Sequence, residues 1–470
     1  MVSNGIGGYA ASGISGLNER RYHGLLVASL NPPADRRLMV SRLEEQVIEA
    51  GQIFDLNTNQ YPGKFYPEGY QHLVSFSRNP LPEMTFQFGG SRLRKRVFMP
   101  HGQNTTLISY RNESDHPLDL RVRPQFVDRD FHGLFQRKEH FFFPMETFQA
   151  MFRIRAYQDA VPVFVRHEGG EFVQARAWYM RQEYAQDLLR GQEFEEDTFS
   201  PGYIRYQLLP GQEVHIVLTI DEKNLRINPN EALAQELKRL KALVPKGVKT
   251  PFLKDLITSG DAFLVDRAST RSKTLLAGYP WFTDWGRDAM ISMRGLVITL
   301  GKQAEAKAIF QTFISYLDQG MLPNRFPDQG EDPEYNTVDA TLWLFVALYD
   351  YAQAFDDWEY IGAVMPQLRE ILDAYITGTR FGIHLTQEGF VFAGSRNTQL
   401  TWMDARVWGY AITPRWGCPV EVNALWYNAL CIYERFAKKL KADAGLYTEW
   451  AARFKANFKR HFLNYRGYLN

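Results

Sequence analysis

Residues 278–288 read GYPWFTDWGRD, and this stretch directs the interpretation of the rest of the chain. It brings four aromatic rings, two aspartates and an arginine together just before an apolar helical pattern. Aromatic faces pack against the apolar faces of sugar rings, and Asp and Arg side chains bind hydroxyl groups through charge-assisted hydrogen bonds. A buried aromatic cluster with an Asp that caps the helix explains the stretch by itself equally well. The other segments of the chain have to decide between these two interpretations.

The composition is that of a globular protein with enough material for two domains. The 470 residues are 45% hydrophobic, and 54 Lys and Arg residues balance 53 Asp and Glu residues. A formal charge of +1 gives no bulk attraction to nucleic acid or to an anionic membrane, and no apolar run is long enough to cross a bilayer, so we expect neither partner. The two cysteines, Cys418 and Cys431, make no disulfide framework, which is typical of a cytoplasmic protein.

The first half of the chain has the pattern of β-strands. Short alternating or β-branched runs, separated by turn residues, recur between about residues 24 and 220. Examples are residues 106–110, the alternating Leu118, Leu120 and Val122, and residues 163–165, 172–173 and 214–220. Gly5, Gly7 and Gly8 resemble a phosphate-binding loop but lack the flanking strand and helix of a dinucleotide site. We predict an antiparallel β-sandwich over residues 1–228 and a helical linker over residues 229–249.

The second half, residues 250–470, has the 3.6-residue period of helices. The first predicted helix begins at Thr250 and Pro251. Its apolar face comprises Leu253, Leu256, Ile257, Phe263 and Leu264. Six more apolar stripes follow within residues 291–300, 309–317, 338–349, 361–375, 420–436 and 450–462.

Three long connections between these helices are rich in polar and aromatic residues. They join the first helix to the second, the third to the fourth, and the fifth to the sixth, whereas the other connections are short. In an antiparallel bundle the connections alternate between two ends, so we expect the three long ones to meet at one end. They carry Trp281, Phe282, Trp285, Tyr335, Trp343, Trp402, Trp408 and Trp416 together with Asp288, Asp339, Asp404 and Glu421. Carboxylates among aromatic rings are typical of glycoside hydrolysis, where one carboxylic acid protonates the leaving oxygen and a second carboxylate activates water or attacks carbon.

Carboxylates on these connections have two other possible roles, calcium binding and helix capping. Asp328, Glu331, Asp332 and Glu334 could bind calcium, but they lack the ordered spacing of a calcium loop and are more typical of a solvated acidic turn. Asp288 and Asp339 each lie at the start of a helix and could cap it. Capping does not explain why all three connections are flanked by Trp or Tyr.

Six motifs along the chain resemble, in the same order, the prokaryotic glycogen debranching enzymes of the amylo-α-1,6-glucosidase type. They are SNGIGGYAASGISGLNERRYHGLLVA (3–28), LEEQV (43–47), WGRDAMISMRGL (285–296), YNTVDATLW (335–343), TWMDA (401–405) and TPRWGCPVEVNALWYN (413–428). The resemblance implies a β-sandwich followed by an (α/α)6 toroid. It also implies hydrolysis, with inversion and without a metal or cofactor, of α-1,6-linked glucose at branch points of glycogen, limit dextrin or a branched malto-oligosaccharide.

The resemblance also implies roles for individual residues. Asp404 would be the general acid, although Asp339 is a second candidate for that role. Arg287 and Asp288 would hold the glucose at the non-reducing end. The other residues expected to bind substrate are Trp285, Asn336, Asp339, Trp343, Trp402, Arg406 and Glu421. Arg406 stands where the family usually has Lys. A planar guanidinium group with several hydrogen-bond donors thus replaces a compact ammonium group.

The resemblance leaves part of the expected toroid unmatched. Seven of twelve helices are predicted, and the glutamate that serves the family as catalytic base has no counterpart before Asn470. We therefore expect a fragment of a longer protein, with its base beyond residue 470. Two alternatives stay open: another (α/α)6 glycosidase or phosphorylase, such as a glucoamylase, and a glycan-binding protein without catalysis.

The expected lack of a base predicts that the purified 470-residue chain hydrolyses no branched dextrin, because an inverting reaction needs both carboxylates. Free glucose released from a limit dextrin is the quantity to measure. Release above the rate without protein would contradict this prediction.

Overall fold

The computed structural model describes residues 1–78, 80–326 and 332–469. The chain divides into two compact units, Met1–Ala268 and Ser269–Asn470. The first unit thus extends past the predicted sandwich and the predicted linker. The boundaries at residues 228 and 249 stay predictions.

The first unit is an antiparallel β-sandwich. Its strands are β1 Val2–Ser3, β2 Tyr9–Ala11, β3 Gly24–Asn31, β4 Ala34–Glu49, β5 Gln52–Asp55, β6 Thr58–Tyr61, β7 Lys64–Glu68, β8 Leu73–Arg78, β9 Pro82–Phe88, β10 Ser91–Phe98, β11 Thr105–Asn112, β12 Leu118–Asp130, β13 Met145–Phe148, β14 Met151–Ile154, β15 Val163–Arg166, β16 Glu171–Glu183, β17 Glu195–Leu208, β18 Glu213–Thr219 and β19 Leu264–Arg267. Among the described residues, one eight-stranded sheet has the order β1-β2-β3-β4-β12-β17-β16 with β5 beside β4. The other has the order β13-β14-β15-β18-β11-β10-β9-β8. The predicted sandwich is confirmed.

Alternation along β12 shows why these residues form a two-sided sheet. Leu118, Leu120 and Val122 are buried, whereas Asp119, Arg121 and the residues that alternate with them are half-buried on the opposite face. Successive side chains of a strand point to opposite faces, so this pattern places one face of β12 in the core. Its neighbours are β4 and β17, both antiparallel to it.

The helices of the first unit are α1 Ala185–Leu189, α2 Pro229–Ala242 and α3 Pro251–Gly260. Helix α2 is the one predicted within the linker. Asn228 caps it by accepting hydrogen bonds from the amides of Asn230 and Glu231. On its apolar side, Ala232 and the half-buried Leu233 and Leu240 pack against a buried cluster of Leu81, Phe98, Leu107 and Val217. The helix is therefore packed on the β-sandwich.

The predicted apolar face of the helix that begins at Thr250 is wrong in two respects. Helix α3 ends at Gly260, so Phe263 lies in a 3₁₀ turn and Leu264 begins β19. Leu253 and Leu256 are 43% and 56% exposed. A short apolar run fits a helix or a strand, so its spacing does not show where the backbone changes conformation.

The second unit contains the helices that the 3.6-residue period predicts. They are α4 Gly286–Met293, which continues as a π-helical turn over Arg294–Ile298, then α5 Gln303–Ile314, α6 Ala340–Phe355, α7 Trp358–Thr377, α8 Val420–Leu440 and α9 Gly445–Phe462. Short strands accompany them: β20 Ser272–Leu275, β21 His384–Leu385, β22 Val391–Phe392, β23 Arg406–Val407 and β24 Tyr410–Ala411. Across the described residues, no helix is long and apolar enough to span a membrane.

A buried ion pair lies inside the first unit. Glu196 is fully buried and accepts hydrogen bonds from Arg129, from the Tyr184 hydroxyl and from the Phe135 amide, the last at 2.8 Å. The neighbouring Glu195 instead pairs with Arg181, whose side chain is 61% exposed. Of these two adjacent glutamates, Glu196 thus forms a buried ion pair and Glu195 an exposed one.

We predict that Glu196→Ala lowers the free energy of unfolding of this unit by about 3–5 kcal/mol, because Arg129 then keeps a buried, uncompensated charge. Glu195→Ala is the matched control and should cost less than about 1 kcal/mol. Chemical denaturation followed by the β-sheet circular dichroism signal measures both. Equal losses for the two variants would contradict the assignment.

Candidate active site

Arg287 binds carboxylates that come from two other connections. Its Nε lies 2.9 Å from both carboxylate oxygens of Asp339, and its Nη1 donates to Asp404 Oδ2 at 3.2 Å. Arg287 lies in the first turn of α4, Asp339 directly precedes α6, and Asp404 lies between α7 and α8. The three long connections therefore meet at one end of this unit, as their alternation predicts.

Backbone contacts hold the same three connections together. The Gly286 amide donates to the Asn324 carbonyl at 2.8 Å, and the Val338 amide donates to the Leu400 carbonyl at 2.8 Å. A Cβ on Gly286 would lie 2.2 Å from the Pro323 carbonyl oxygen. Only glycine allows this close approach, which explains the glycine of the WGRD motif.

Asp339 takes part in the ion pair and does not cap its helix. It occupies the position before α6, but its side chain accepts no hydrogen bond from the amides of the first turn. Thr337 caps instead: its hydroxyl accepts from the Ala340 amide at 3.2 Å and donates to Asp339 Oδ1 at 2.9 Å. The capping explanation therefore does not account for Asp339.

Burial shapes the electrostatics of this cluster. The side chains of Arg287 and Asp339 are 9% and 3% exposed, and that of Asp404 is 24% exposed. Burial by itself would lower the pKa of Arg287, but the carboxylates of Asp339 and Asp404 outweigh it and raise that pKa. For Asp288, burial raises the pKa more than the Arg287 guanidinium lowers it. The cluster thus keeps a charged arginine beside a carboxyl group that is harder to ionise.

Aromatic residues lie on the same connections as the ion pair. Trp285 meets Phe282 edge-to-face at 5.9 Å, and the Arg325 guanidinium lies 5.9 Å from the centre of the Trp285 ring. Arg325 also donates to Glu334 at 2.5 Å. Trp343 lies in the first turn of α6 and is half-buried. Trp285 and Trp343 are thus two and four residues along the chain from Arg287 and Asp339, and the predicted gathering of the rings around the ion pair stays a prediction.

Other predicted site residues lie further out. Trp402 is 57% exposed and has the Arg415 guanidinium 6.0 Å from its ring centre. Arg415 in turn forms an ion pair with Glu421. Arg406 lies in the β23–β24 hairpin and donates to the Gly409 carbonyl. Among the described residues, Arg406 makes no hydrogen bond or ion pair with Arg287, Asp339 or Asp404.

The sequence patterns did not identify Asn324, Arg325 or Thr337 as parts of the site. Asn324 lies on the connection before α6, and its Nδ2 donates to the predicted site residue Asn336 at 3.3 Å. The sequence indicates only that Asn324, Arg325 and Thr337 belong to a long polar connection. It does not show which side chains of that connection turn inward.

The calcium site that the acidic residues could form is only partly within the described residues. Asp328 and Glu331 lie outside the described residues. Of the other two carboxylates, Glu334 forms an ion pair with Arg325. Within the described part of the chain, no group of three His, Cys, Asp or Glu side chains could hold a metal ion.

Comparison with known families identifies the relatives of this chain. Residues 1–215 match the family model described as glycogen debranching enzyme N terminal. Residues 258–470 match the model described as amylo-alpha-1,6-glucosidase. The chain belongs to the glycogen debranching enzyme family.

Two individual proteins are similar to this chain, one in sequence and one in fold. The glycogen debranching enzyme of Saccharomyces cerevisiae is 29% identical over a region that covers 40% of this chain and 17% of that enzyme. A bacterial glucoamylase complexed with acarbose has a similar structure, with a TM-score of 0.54 and 11% identity, over 91% of this chain and 62% of the glucoamylase. This likeness concerns the fold, and it confirms the predicted class of a β-sandwich followed by helices of the (α/α)6 glucoamylase type.

The contact at Gly286 yields a prediction for this family member. We expect Gly286→Ala to lower the free energy of unfolding by about 1–3 kcal/mol, because the added methyl group forces the Pro323 carbonyl to move. Gly295→Ala is the control: its Cβ would have no atom within 4 Å, and alanine favours the helix, so stability should not fall. Chemical denaturation followed by the helical signal compares them, and a stable Gly286→Ala variant would contradict the close approach.

Proposed function

We propose that this chain forms the glucose-binding part of a glycoside hydrolase that cleaves α-1,6-linked glucose at branch points of glycogen or a related glucan, with inversion. The observation that carries the proposal is the Arg287 ion-pair cluster, which joins Asp339 and Asp404 on connections that also carry Trp285 and Trp343. Charged groups that bind hydroxyls and rings that pack on sugar faces together suit a pyranose ligand. The family placement supports the same class of substrate.

Exposure supports Asp404 over Asp339 as the general acid. A general acid must reach the leaving oxygen of the substrate. Both oxygens of Asp339 lie at hydrogen-bond distance from Arg287, Thr337 also donates to this carboxylate, and only 3% of the side chain is exposed. Asp404 has one contact with Arg287, through Oδ2, and a side chain that is 24% exposed. We therefore assign proton donation to Asp404 and positioning of Arg287 to Asp339.

The remaining residues of the cluster would bind the glucose unit. Arg287 is held in place by two carboxylates, so it presents its donors with little loss of side-chain entropy. In this proposal Asp288 and Asn336 add hydrogen-bonding groups, and Trp285 and Trp343 add ring faces. Trp402 is exposed and contacts Arg415, which pairs with Glu421, and we assign these three residues to further sugar units of a branched chain.

The cysteines support a proposal about location. Cys418 and Cys431 are both free and half-buried. Free thiols persist in reducing compartments, and glycogen is an intracellular store, so we propose that the protein works in the cytoplasm.

Binding to a branched glucan tests the proposed function independently of turnover. We expect the chain to bind a limit dextrin more tightly than a linear dextrin of equal size in affinity electrophoresis. Arg287→Gln should weaken that binding by about tenfold to a hundredfold, because hydrogen bonds from a charged donor are lost.

Arg294→Gln is the matched control for this experiment. Arg294 lies about two turns further along the same helical segment, pairs with Asp350 and has a 65% exposed side chain, so its loss should leave binding unchanged. Thermal unfolding of both variants shows whether they are folded. Equal affinity for linear and branched dextrins, or unaltered binding by folded Arg287→Gln, would contradict the proposal.

A further inference from the structure

Two buried polar atoms in the cluster have no hydrogen-bond partner among the described residues. They are Oδ1 of Asn324, a residue that is 1% exposed, and Nη2 of Arg287, a residue that is 8% exposed. Leaving a buried donor or acceptor unpaired is costly, so such atoms are rare in folded proteins and require an explanation. One is an acceptor and the other is a donor.

Hydrogen bonds join Asn324 to the two segments that carry the ion pair. The Asn324 carbonyl accepts from the Gly286 amide, one residue before Arg287, at 2.8 Å. Its Nδ2 donates to Asn336, three residues before Asp339, at 3.3 Å. The Asn324 amide group is therefore held between the segments that carry Arg287 and Asp339.

The backbone around Asn324 is fixed on both sides. Its amide donates to the Glu334 carbonyl at 2.6 Å, while its carbonyl accepts from Gly286. A side chain on a fixed backbone is pre-organised for a ligand. The hydrogen bond that Nδ2 donates to Asn336 assigns the amide nitrogen, so the amide oxygen is the atom left without a partner.

The two unpaired atoms select the chemistry of a ligand. A hydroxyl group both donates and accepts, so neighbouring hydroxyls of one pyranose ring can satisfy an acceptor and a donor together. An anionic ligand would pair with Arg287 but would be repelled by the carboxylates of Asp339 and Asp404 and would leave Asn324 Oδ1 unpaired. The pair of atoms therefore favours a neutral polyhydroxylated ligand.

We infer that Asn324 is a specificity-determining residue of this site, whose side-chain amide binds one hydroxyl group of the sugar ring that Arg287 holds. The inference rests on the proposed function, because that function supplies the sugar. It adds a residue that discriminates among sugars by the position and orientation of a single hydroxyl. A site built to bond a hydroxyl rejects an analogue that lacks it much more strongly than an apolar site does.

Deoxy ligands and an Asn324 variant together test the inference. The probes are methyl α-isomaltoside and its four analogues that lack the hydroxyl at C2, C3, C4 or C6 of the terminal ring, with dissociation constants from NMR titration. We expect the analogue that lacks the hydroxyl bound by Asn324 to bind wild type about tenfold to a hundredfold more weakly than the parent. Asn324→Ala should bind the parent and that analogue equally, because the partner of the missing hydroxyl is gone.

Two further variants serve as controls. Asn397→Ala changes an exposed asparagine in the connection between α7 and α8 and should keep the wild-type preference. Asn324→Asp keeps an acceptor oxygen in a side chain of the same shape and should retain the sensitivity to the analogue, even if Asn324→Ala does not fold.

The outcomes separate this inference from the proposed function. If wild type binds no methyl α-isomaltoside, the proposed function and this inference both fail. If wild type binds it but folded Asn324→Ala keeps the wild-type preferences among the five ligands, or Asn324→Asp loses the sensitivity to the analogue, this inference alone is overturned.

Discussion

The helical unit depends on one buried arginine. Removing a guanidinium from water is costly, and the cost is offset only where carboxylates and hydrogen bonds surround the charge. Arg287 meets this condition through Asp339 and Asp404, which reach it from two separate connections. The fold and the candidate site are therefore one arrangement, because the charge that would bind a sugar is also the charge that holds the three connections together.

The close backbone contact at Gly286 makes this arrangement possible. With the start of α4 against the Pro323 carbonyl, Arg287 lies near enough to the segment before α6 to reach Asp339. Thr337 takes over the capping of α6, which leaves the Asp339 carboxylate available to the arginine. Gly286 and Thr337 thus both contribute to the position of the Arg287 guanidinium.

Periodicity made much of this predictable, and its limits explain the rest. The change from alternating to helical spacing predicted the sandwich and the helices, and the alternation of helix connections predicted that Arg287, Asp339 and Asp404 would meet. The end of α3 at Gly260 was not predicted, because Phe263 and Leu264 keep the helical spacing of Leu256 and Ile257 although they lie beyond the helix. Asn324 could not be distinguished from other polar residues of its connection, since only the folded backbone turns its side chain inward.

The central claim is that Arg287 and Asp404 act on the same sugar. A crystal structure of the protein with methyl α-isomaltoside tests it most directly. The account predicts that the terminal glucose donates to or accepts from Arg287 and Asp288, with the Asp404 carboxyl within hydrogen-bond distance of the glycosidic oxygen. A ligand bound away from Arg287, or a glycosidic oxygen out of reach of Asp404, would contradict it.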